Sequence, residues 1–200
     1  MGRPREFDET KVLDAARDAF WAYGYEATST RDLVKATGLT QPSLYNAFGD
    51  KRGLFLRALD YYLKNTLRER MLRLESTATP GTAITGFFAE VVQRSLDDRE
   101  QRGCLMVNSA LGAAPEDTEL RAAITDEVTQ IRDFFLRCLE AGQRSGEIKK
   151  AIPAAESAQH LLAVLLGLRV LARINPNRDW LVSGVSPALI QLGLLPPANA

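Results

Sequence analysis

Residues 28–52 read TSTRDLVKATGLTQPSLYNAFGDKR, a run of cap residues and short apolar clusters with one glycine break. Ser29 is followed three residues later by Asp32, and a hydroxyl and an acid at this spacing are the pattern of a capping box. We therefore predict that a short helix begins here. Gly38 can adopt a positive φ at little cost, so the chain can break sharply after that helix.

A second short helix follows the break. Thr40 can cap it, and Pro42 is tolerated in its first turn because an amide there has no helical partner to lose. Two short helices joined by a tight turn that contains glycine form a helix-turn-helix. We place this motif at about 29–48.

The second helix separates its residues by face. Leu44, Ala47 and Phe48 recur at three- and four-residue spacing and are predicted to pack inward. The opposite face is polar or flat and uncharged, and consists of Gln41, Pro42, Ser43, Tyr45 and Asn46. Amide side chains can donate and accept toward base edges, and a proline ring can contact a thymine methyl. This face predicts DNA reading; the alternative is a small surface hairpin of helices with polar solvent positions.

Further DNA contacts are expected on either side of this helix. Thr30 lies at the start of the first motif helix. Lys51 lies in the first turn of the following helix, where free N–H groups and the helix dipole favour phosphate. Arg3 and Arg5 form a short basic arm of the kind that suits a narrow minor groove. A solvated terminus with no role is the alternative for this arm.

Residues 7–62 resemble the DNA-binding domain of the tetracycline-repressor (TetR) family of bacterial transcriptional regulators. The resemblance is carried by Ala15-Ala16-(x)3-Phe20-(x)3-Gly24-Tyr25-(x)2-Thr28, then Gly38-Leu39-(x)4-Leu44-Tyr45-(x)2-Phe48, then Lys51-(x)2-Leu54-Phe55. The family commonly has a phosphate-contacting histidine where this chain has Ala47. The resemblance implies a transcriptional regulator with an effector pocket in residues 76–200. We predict a repressor that a small-molecule effector releases from operator DNA.

Composition places the chain among ordinary globular proteins. Apolar residues make up 46% and charged residues 25% of the sequence, which are typical values for that class. Residues 1–8 are polar and charged, so we expect no signal peptide, and the longest apolar run, 161–168, is too short to span a bilayer. Two cysteines are too few to crosslink a secreted fold. We predict a protein of the bacterial cytoplasm.

Net charge is zero over the whole chain but not along it. Residues 28–75 hold nine Lys/Arg against five Asp/Glu, while the remainder is acidic. Because bound counterions respond to local charge, overall neutrality does not argue against DNA binding. The positive segment coincides with the predicted motif.

The sequence predicts an all-α fold in three parts. Residues 1–50 are the helix-turn-helix domain, 51–75 a connector helix, and 76–200 an effector-binding and dimerisation domain. Residues 76–81 are interpreted as a linker. The first helix is expected to begin after Asp8 and to end at Gly24, with Tyr23 on its inner side. Later helices are expected at about 82–96, 103–111, 117–144, 154–174 and 187–194, with a charged loop at 97–102.

The long helices 117–144 and 154–174 are predicted to form a homodimer surface. Two helices from each subunit would make a four-helix bundle about a twofold axis. The alternative is that both helices pack only within one chain.

No catalytic motif is found, so we predict that the protein is not an enzyme and uses no cofactor or metal. Bulky interior residues are the candidates for an effector pocket: Phe87, Phe88, Val91, Met106, Phe134, Phe135, Cys138 and His160. Each could equally be plain core, and His160 is expected inside the core or the pocket. Cys104 and Cys138 are interpreted as inert thiols, with a redox or metal sensor as the alternative. A second function also stays open, namely a helical sensor or protein-interaction module that has lost DNA binding.

Overall fold

The computed structural model describes residues 7–197, so Arg3 and Arg5 lie outside the described residues. Within that range the chain forms α-helices joined by short turns and contains no strand, which confirms the predicted all-α fold. The helices are α1 Glu9–Tyr23, α2 Thr30–Thr37, α3 Gln41–Phe48, α4 Lys51–Leu63, α5 Glu69–Thr77, α6 Pro80–Asp97, α7 Leu105–Gly112, α8 Thr118–Ser145, α9 Ala154–Ile174 and α10 Arg178–Gln191.

The N-terminal helices α1 to α3 close around one core with the start of α4. Asp8 caps α1 through the amides of Thr10 and Lys11, and Gly24 ends it with φ 81°, as predicted. Phe20 of α1 meets Phe55 of α4 edge to face at 5.0 Å between ring centroids. Tyr23 is a correction. It lies at the last residue of α1, where no other helix covers it, and 67% of its surface is exposed.

The predicted connector is a longer and less regular helix than expected. Asp50 caps it by accepting from the Gly53 amide, and it runs through α4, a π-helical turn Lys64–Arg68, and α5. The predicted linker at 76–81 is wrong for most of its length. The helix continues to Thr77, and Thr79 already caps α6 by accepting from the Thr82 amide. The composition of this stretch marks a junction between two helices and not an extended loop.

The C-terminal helices α6 to α10 pack around an aromatic centre. Phe88 stacks on Phe135 with 5.6 Å between ring centroids and 6° between ring planes, and Phe87 lies 5.4 Å from Phe134. The predicted last helix at 187–194 is wrong, because α10 begins after its cap Asn177 and carries Pro187 in its interior. Residues 183 and 184, one turn earlier, are exposed, so water can satisfy the carbonyl that proline leaves unpaired.

The helix α9 is long and apolar enough to cross a membrane by length and composition alone. In the fold it packs against α6, α8 and α10, and its most extensive packing is with α8. These contacts are those of a core helix in a helical bundle.

Two of the ion pairs that tie the connector to the C-terminal helices involve a buried side chain. Arg68 of the π-helical turn donates from Nε to Glu127 of α8 at 2.8 Å. Glu127 is fully buried, and burial raises its pKa while the bond from Arg68 lowers it in part. Arg70, also buried, pairs with Glu90 of α6 at 3.1 Å. These pairs fix the connector against α6 and α8.

The junction of α3 and α4 depends on a glycine at a close approach. A Cβ added to Gly53 would lie 2.1 Å from the carbonyl oxygen of Phe48, which is backbone and cannot rotate away. Substitution must therefore push α4 away from α3. At Gly112, by contrast, an added Cβ meets nothing within 4 Å.

We predict that Gly53→Ala destabilises the protein by about 1–3 kcal/mol, the usual cost of overpacking. Urea unfolding followed by far-UV circular dichroism, at one fixed protein concentration, measures this. Gly112→Ala is the matched control and should unfold near the wild-type midpoint. Equal midpoints for Gly53→Ala and wild type would show that the α3–α4 junction tolerates a methyl group.

Candidate nucleic-acid interface

The predicted helix-turn-helix is present with its predicted caps. Ser29 and Asp32 form a reciprocal capping box at the start of α2. Gly38 takes the left-handed conformation, with φ 70°, and its N–H donates to the Val34 carbonyl, which ends α2. Thr40 then caps α3 by accepting from the Ser43 amide. Local hydrogen bonds therefore set the angle at which α3 leaves the turn.

One side of α3 is buried and the other is free. Leu44 and Phe48 face the core, and Ala47 is half-buried beside them. The exposed residues are Gln41, Pro42 and Asn46, while Ser43 and Tyr45 are half-buried. The faces predicted from spacing are thus confirmed. This leaves two amide side chains and a proline ring on the surface of a helix that no other element covers.

Tyr45 and Thr30 are joined across the motif. The Tyr45 Oη lies 2.6 Å from the Thr30 Oγ1, within hydrogen-bond distance. This bond links the start of α2 to the middle of α3, so it holds the tyrosine ring in one position at the edge of the exposed face. The sequence suggested both residues as DNA contacts but gave no sign that they touch each other.

The two cations at the start of α4 have different environments. Lys51 Nζ donates to the Glu26 carbonyl at 3.3 Å and lies 4.6 Å from the centre of the Tyr25 ring. It has no carboxylate partner in the described part of the chain. Arg52 instead pairs with Asp117 at the start of α8. The arginine is therefore engaged within the protein, and only the lysine keeps an unneutralised charge for phosphate.

The positive charge of residues 28–75 is smaller than its count of cations implies. Five of the nine Lys/Arg make ion pairs with carboxylates: Arg52, Arg57, Arg68, Arg70 and Arg73. Most of these carboxylates come from outside the segment, so the sequence could not show the pairing. Arg31 lacks such a partner within the described residues and is exposed in the first turn of α2, next to Thr30. It is a candidate phosphate contact that sequence reasoning missed.

The predicted pocket residues separate into four groups. Phe87, Phe88, Phe134 and Phe135 are fully buried against one another and line none of the larger cavities. Cys138 is buried, and burial raises the pKa of its thiol to about 12, which suits an inert thiol. His160 is a correction, because it is exposed on the surface of α9 and lies neither in the core nor in a pocket of the described residues.

Val91 and Met106 of the predicted set line a cavity where the connector meets α6, α7 and α9. This cavity also has Tyr62, Cys104 and three arginines in its wall. Across the described residues, no group of three or more His, Cys, Asp or Glu side chains could hold a metal ion.

These helices define a helix-turn-helix protein with a helical C-terminal part. Residues 12–58 match the family described as bacterial regulatory proteins, tetR family, and residues 82–181 match the tetracyclin repressor-like C-terminal domain. The chain is 34% identical to the uncharacterised HTH-type transcriptional regulator YezE of Bacillus subtilis, across 94% of this chain and 98% of that protein. It is 31% identical to the HTH-type transcriptional repressor ComR of Escherichia coli, across 90% and 87%.

A solved structure agrees over the same length. The TetR family regulator CifR, as a cysteine mutant in complex with 26-base-pair double-strand operator DNA, superimposes with a TM-score of 0.83 at 35% identity. The match covers 94% of this chain and 98% of that one. The protein therefore belongs to the TetR family of bacterial transcriptional regulators. This confirms the resemblance seen in the sequence and the prediction that the protein is not an enzyme.

Lys51 can be tested separately, because a positive charge that contacts phosphate does not distinguish one base from another. Lys51→Ala should weaken binding to every DNA sequence alike and lower the slope of log affinity on log salt by about one for each phosphate that the lysine neutralises. Fluorescence anisotropy across a salt series measures the slope. Lys64→Ala, an exposed lysine of the π-helical turn, removes the same charge outside the motif and should leave the slope unchanged. An unchanged slope for Lys51→Ala would show that this residue does not meet phosphate.

Proposed function

We propose that this protein is a dimeric, sequence-specific repressor that a small-molecule effector releases from its operator. The observation that carries the proposal is the free, uncharged face of α3, with Gln41 and Asn46 exposed on a helix fixed by its own caps. CifR, which shares the fold, was solved on operator DNA. A mobility-shift assay with DNA flanking the gene is the direct test, and absence of any specific complex would favour the interaction-module alternative.

The residues of the interface divide into base readers and phosphate contacts. Gln41 and Asn46 can form paired hydrogen bonds to base edges in the major groove, and Pro42 can contact a thymine methyl. Lys51 and Arg31 supply charge that positions the helix without reading sequence. Thr30 and Tyr45, already bonded to each other, present hydroxyl groups at the edge of the same surface.

The proposed dimer face lies on α9 and α10. On α9 the exposed residues Ala163, Gly167, Val170 and Ile174 are small or apolar and recur at alternating spacings of four and three, the period of a helix–helix seam. On α10 the matching exposed set is Trp180, Gly184, Pro187 and Ile190.

The sequence had paired 117–144 with 154–174 for this role. The exposed side of α8, however, is charged, with Arg121, Asp126, Arg137, Glu140 and Arg144. Since the centre of a stable interface is depleted in charge, α10 is the better partner for α9. A second copy packed here would form a four-helix bundle about a twofold axis and present two copies of α3 to DNA. Successive major grooves lie roughly 34 Å apart on one side of the duplex.

We propose that residues 1–50 are the DNA-reading domain, 51–75 the connector and 76–200 the regulatory domain. The protein acts in the bacterial cytoplasm. Effector binding among α6 to α9 would favour an arrangement in which the two copies of α3 no longer match the groove spacing. Effector binding and operator binding are linked through these two arrangements. An effector that prefers the mismatched arrangement therefore lowers operator affinity by up to the ratio of its affinities for the two arrangements.

We predict that Gln41→Ala and Asn46→Ala each weaken operator binding by about 1–3 kcal/mol and leave weak binding to random DNA intact. The reason is that each change removes a paired hydrogen bond to one base but no charge. Anisotropy titrations on operator and on scrambled duplexes give both affinities.

The matched control is Gln130→Ala, which deletes an exposed amide from α8 and should change neither affinity. Equal losses on operator and scrambled DNA would mean that α3 positions the protein without reading bases.

The dimer face is tested by a pair of matched charge insertions. Gly167→Arg places a cation in open space, since an added Cβ there meets nothing within 4 Å. In the dimer the two arginines face each other, and we predict dissociation at least about 100-fold easier. Thr125→Arg adds the same side chain to the exposed face of α8. Light scattering over a dilution series should show the mass falling only for Gly167→Arg; a fall only for Thr125→Arg would move the interface to α8.

A further inference from the structure

A small cavity lies where the π-helical turn packs against α6, α7 and α9. Its volume is about 30 Å³, and three arginines are among its lining residues, Arg70, Arg94 and Arg169. The remaining wall includes Tyr62, Thr66 and Cys104. No aspartate or glutamate is among the described residues that line it. The cavity therefore concentrates positive charge between the core and the surface of the C-terminal part, since Arg70 is buried, Arg169 is half-buried and Arg94 is exposed.

Carboxylate partners are too few for these three cations. Arg70 pairs with Glu90 at 3.1 Å, but Glu90 also accepts from Arg73 at 2.5 Å. Arg169 donates to the Ser95 hydroxyl at 2.9 Å and to the Gly103 carbonyl at 3.1 Å, and it also bonds to the side chains of Tyr62 and Cys104, none of which is a carboxylate. Arg94 makes no hydrogen bond or ion pair with any residue of the described range. Two of the three charges thus lack a carboxylate counterion among residues 7–197.

The crowding of charge affects Arg70 in particular. Burial, with a smaller part from the neighbouring Arg94, lowers the pKa of Arg70 to about 10. The guanidinium remains protonated at neutral pH, so the repulsion is present under working conditions. Like charges that are partly withdrawn from water are costly unless an anion compensates them. The described part of the chain supplies no such anion in the wall of the cavity.

The size of the cavity fits a two-oxygen head group. A volume of about 30 Å³ corresponds to roughly two water molecules by the usual measure, and a carboxylate presents two oxygens. Guanidinium groups bind carboxylates through two parallel hydrogen bonds, which makes arginine the suited partner. A head group of this kind would meet all three arginines together.

An apolar groove of about 290 Å³ adjoins the cavity. Met106 and Leu166 line both spaces, so these two side chains form the partition between them. The groove is lined by apolar residues and one glycine: Met106, Val107, Ala110, Leu111, Ile124, Val128, Leu166, Gly167 and Val170. Methionine is flexible and adapts its shape readily, so the partition can open for a chain that passes over it.

We infer that this site binds an organic acid with an apolar body. Its carboxylate is held by Arg70, Arg94 and Arg169, and its apolar part passes Met106 into the groove. The binding site does not depend on the proposed function. Only the role of this acid as the effector rests on it. Gly167 and Val170 also belong to the proposed dimer face, so the far end of the ligand would lie beside the second copy, whereas the head site does not involve them.

Isothermal titration calorimetry on the full-length protein tests the site with octanoate, octan-1-ol and acetate. Octanoate should bind at least tenfold more tightly than either of the other two, because only octanoate has both the charge and the apolar chain. Equal binding of octanol would overturn the arginine head site, and equal binding of acetate would overturn the groove. Absence of octanoate binding would overturn the inference as a whole.

Matched variants identify the arginines. Arg94→Gln, which removes a cation without a partner, should weaken octanoate binding at least tenfold and leave octanol binding unchanged. Arg144→Gln makes the same change at an exposed position near the end of α8 and should bind octanoate like wild type. Equal octanoate affinity in both variants would overturn the assignment.

Operator binding is recorded in a separate assay, so that two failures remain distinguishable. Octanoate binding that depends on Arg94 supports the site whether or not operator DNA is released. Loss of operator complex on adding octanoate to wild type, but not to Arg94→Gln, supports the acid as effector. If octanoate binds but no operator complex forms under any condition, the proposed repressor function is wrong. The acid-binding site is supported in that case.

Discussion

The structure depends on one helix that serves two cores. The connector buries Leu54 and Phe55 against α1 at one end and Met71 and Leu74 in the C-terminal part at the other. Neither set of helices can close its core without this apolar face. The π-helical turn in the middle adds residues to one turn and so shifts the buried face along the helix. The connector thereby joins the core of the helix-turn-helix part to the core of the C-terminal part.

Local chemistry made the N-terminal half predictable. Caps such as Ser29, Thr40 and Asp50 act within three residues along the chain, so their effect is visible in the sequence. The π-helical turn was not predictable, because nothing in its residues distinguishes it from a continuing α-helix. Pro187 led to the opposite error, since a helix start was predicted inside a continuous helix. Proline usually starts a helix, but here solvent exposure one turn earlier lets the helix tolerate it.

Site residues could be predicted where the spacing of residues within one helix determines which side chains are exposed. They could not be predicted where packing between helices determines it. The outer face of α3 could be derived from spacing alone. His160 could not, because its exposure depends on which side of α9 other helices cover. The buried phenylalanines were correctly placed in the interior, yet they fill it and do not line a cavity. The arginines that do line one come from three distant parts of the sequence, at positions 70, 94 and 169, and only the fold brings them together.

The connector is the only link between the two parts along the sequence, but it is not the only link in space. Asp117, which caps α8 by accepting from the Leu120 amide, also pairs with Arg52 at the start of α4. Trp21 of α1 lies between Tyr62 of the connector and Arg102 of the loop before α7. That loop leads directly into residues that line the arginine cavity. In the proposed mechanism, the coupling free energy is the difference between the effector's binding free energies in the DNA-bound and released arrangements. Each contact that differs between these two arrangements contributes to it. In the proposed mechanism, an effector that displaces the start of α7 would therefore act on the helix-turn-helix through Arg102 and Trp21 as well as through the connector.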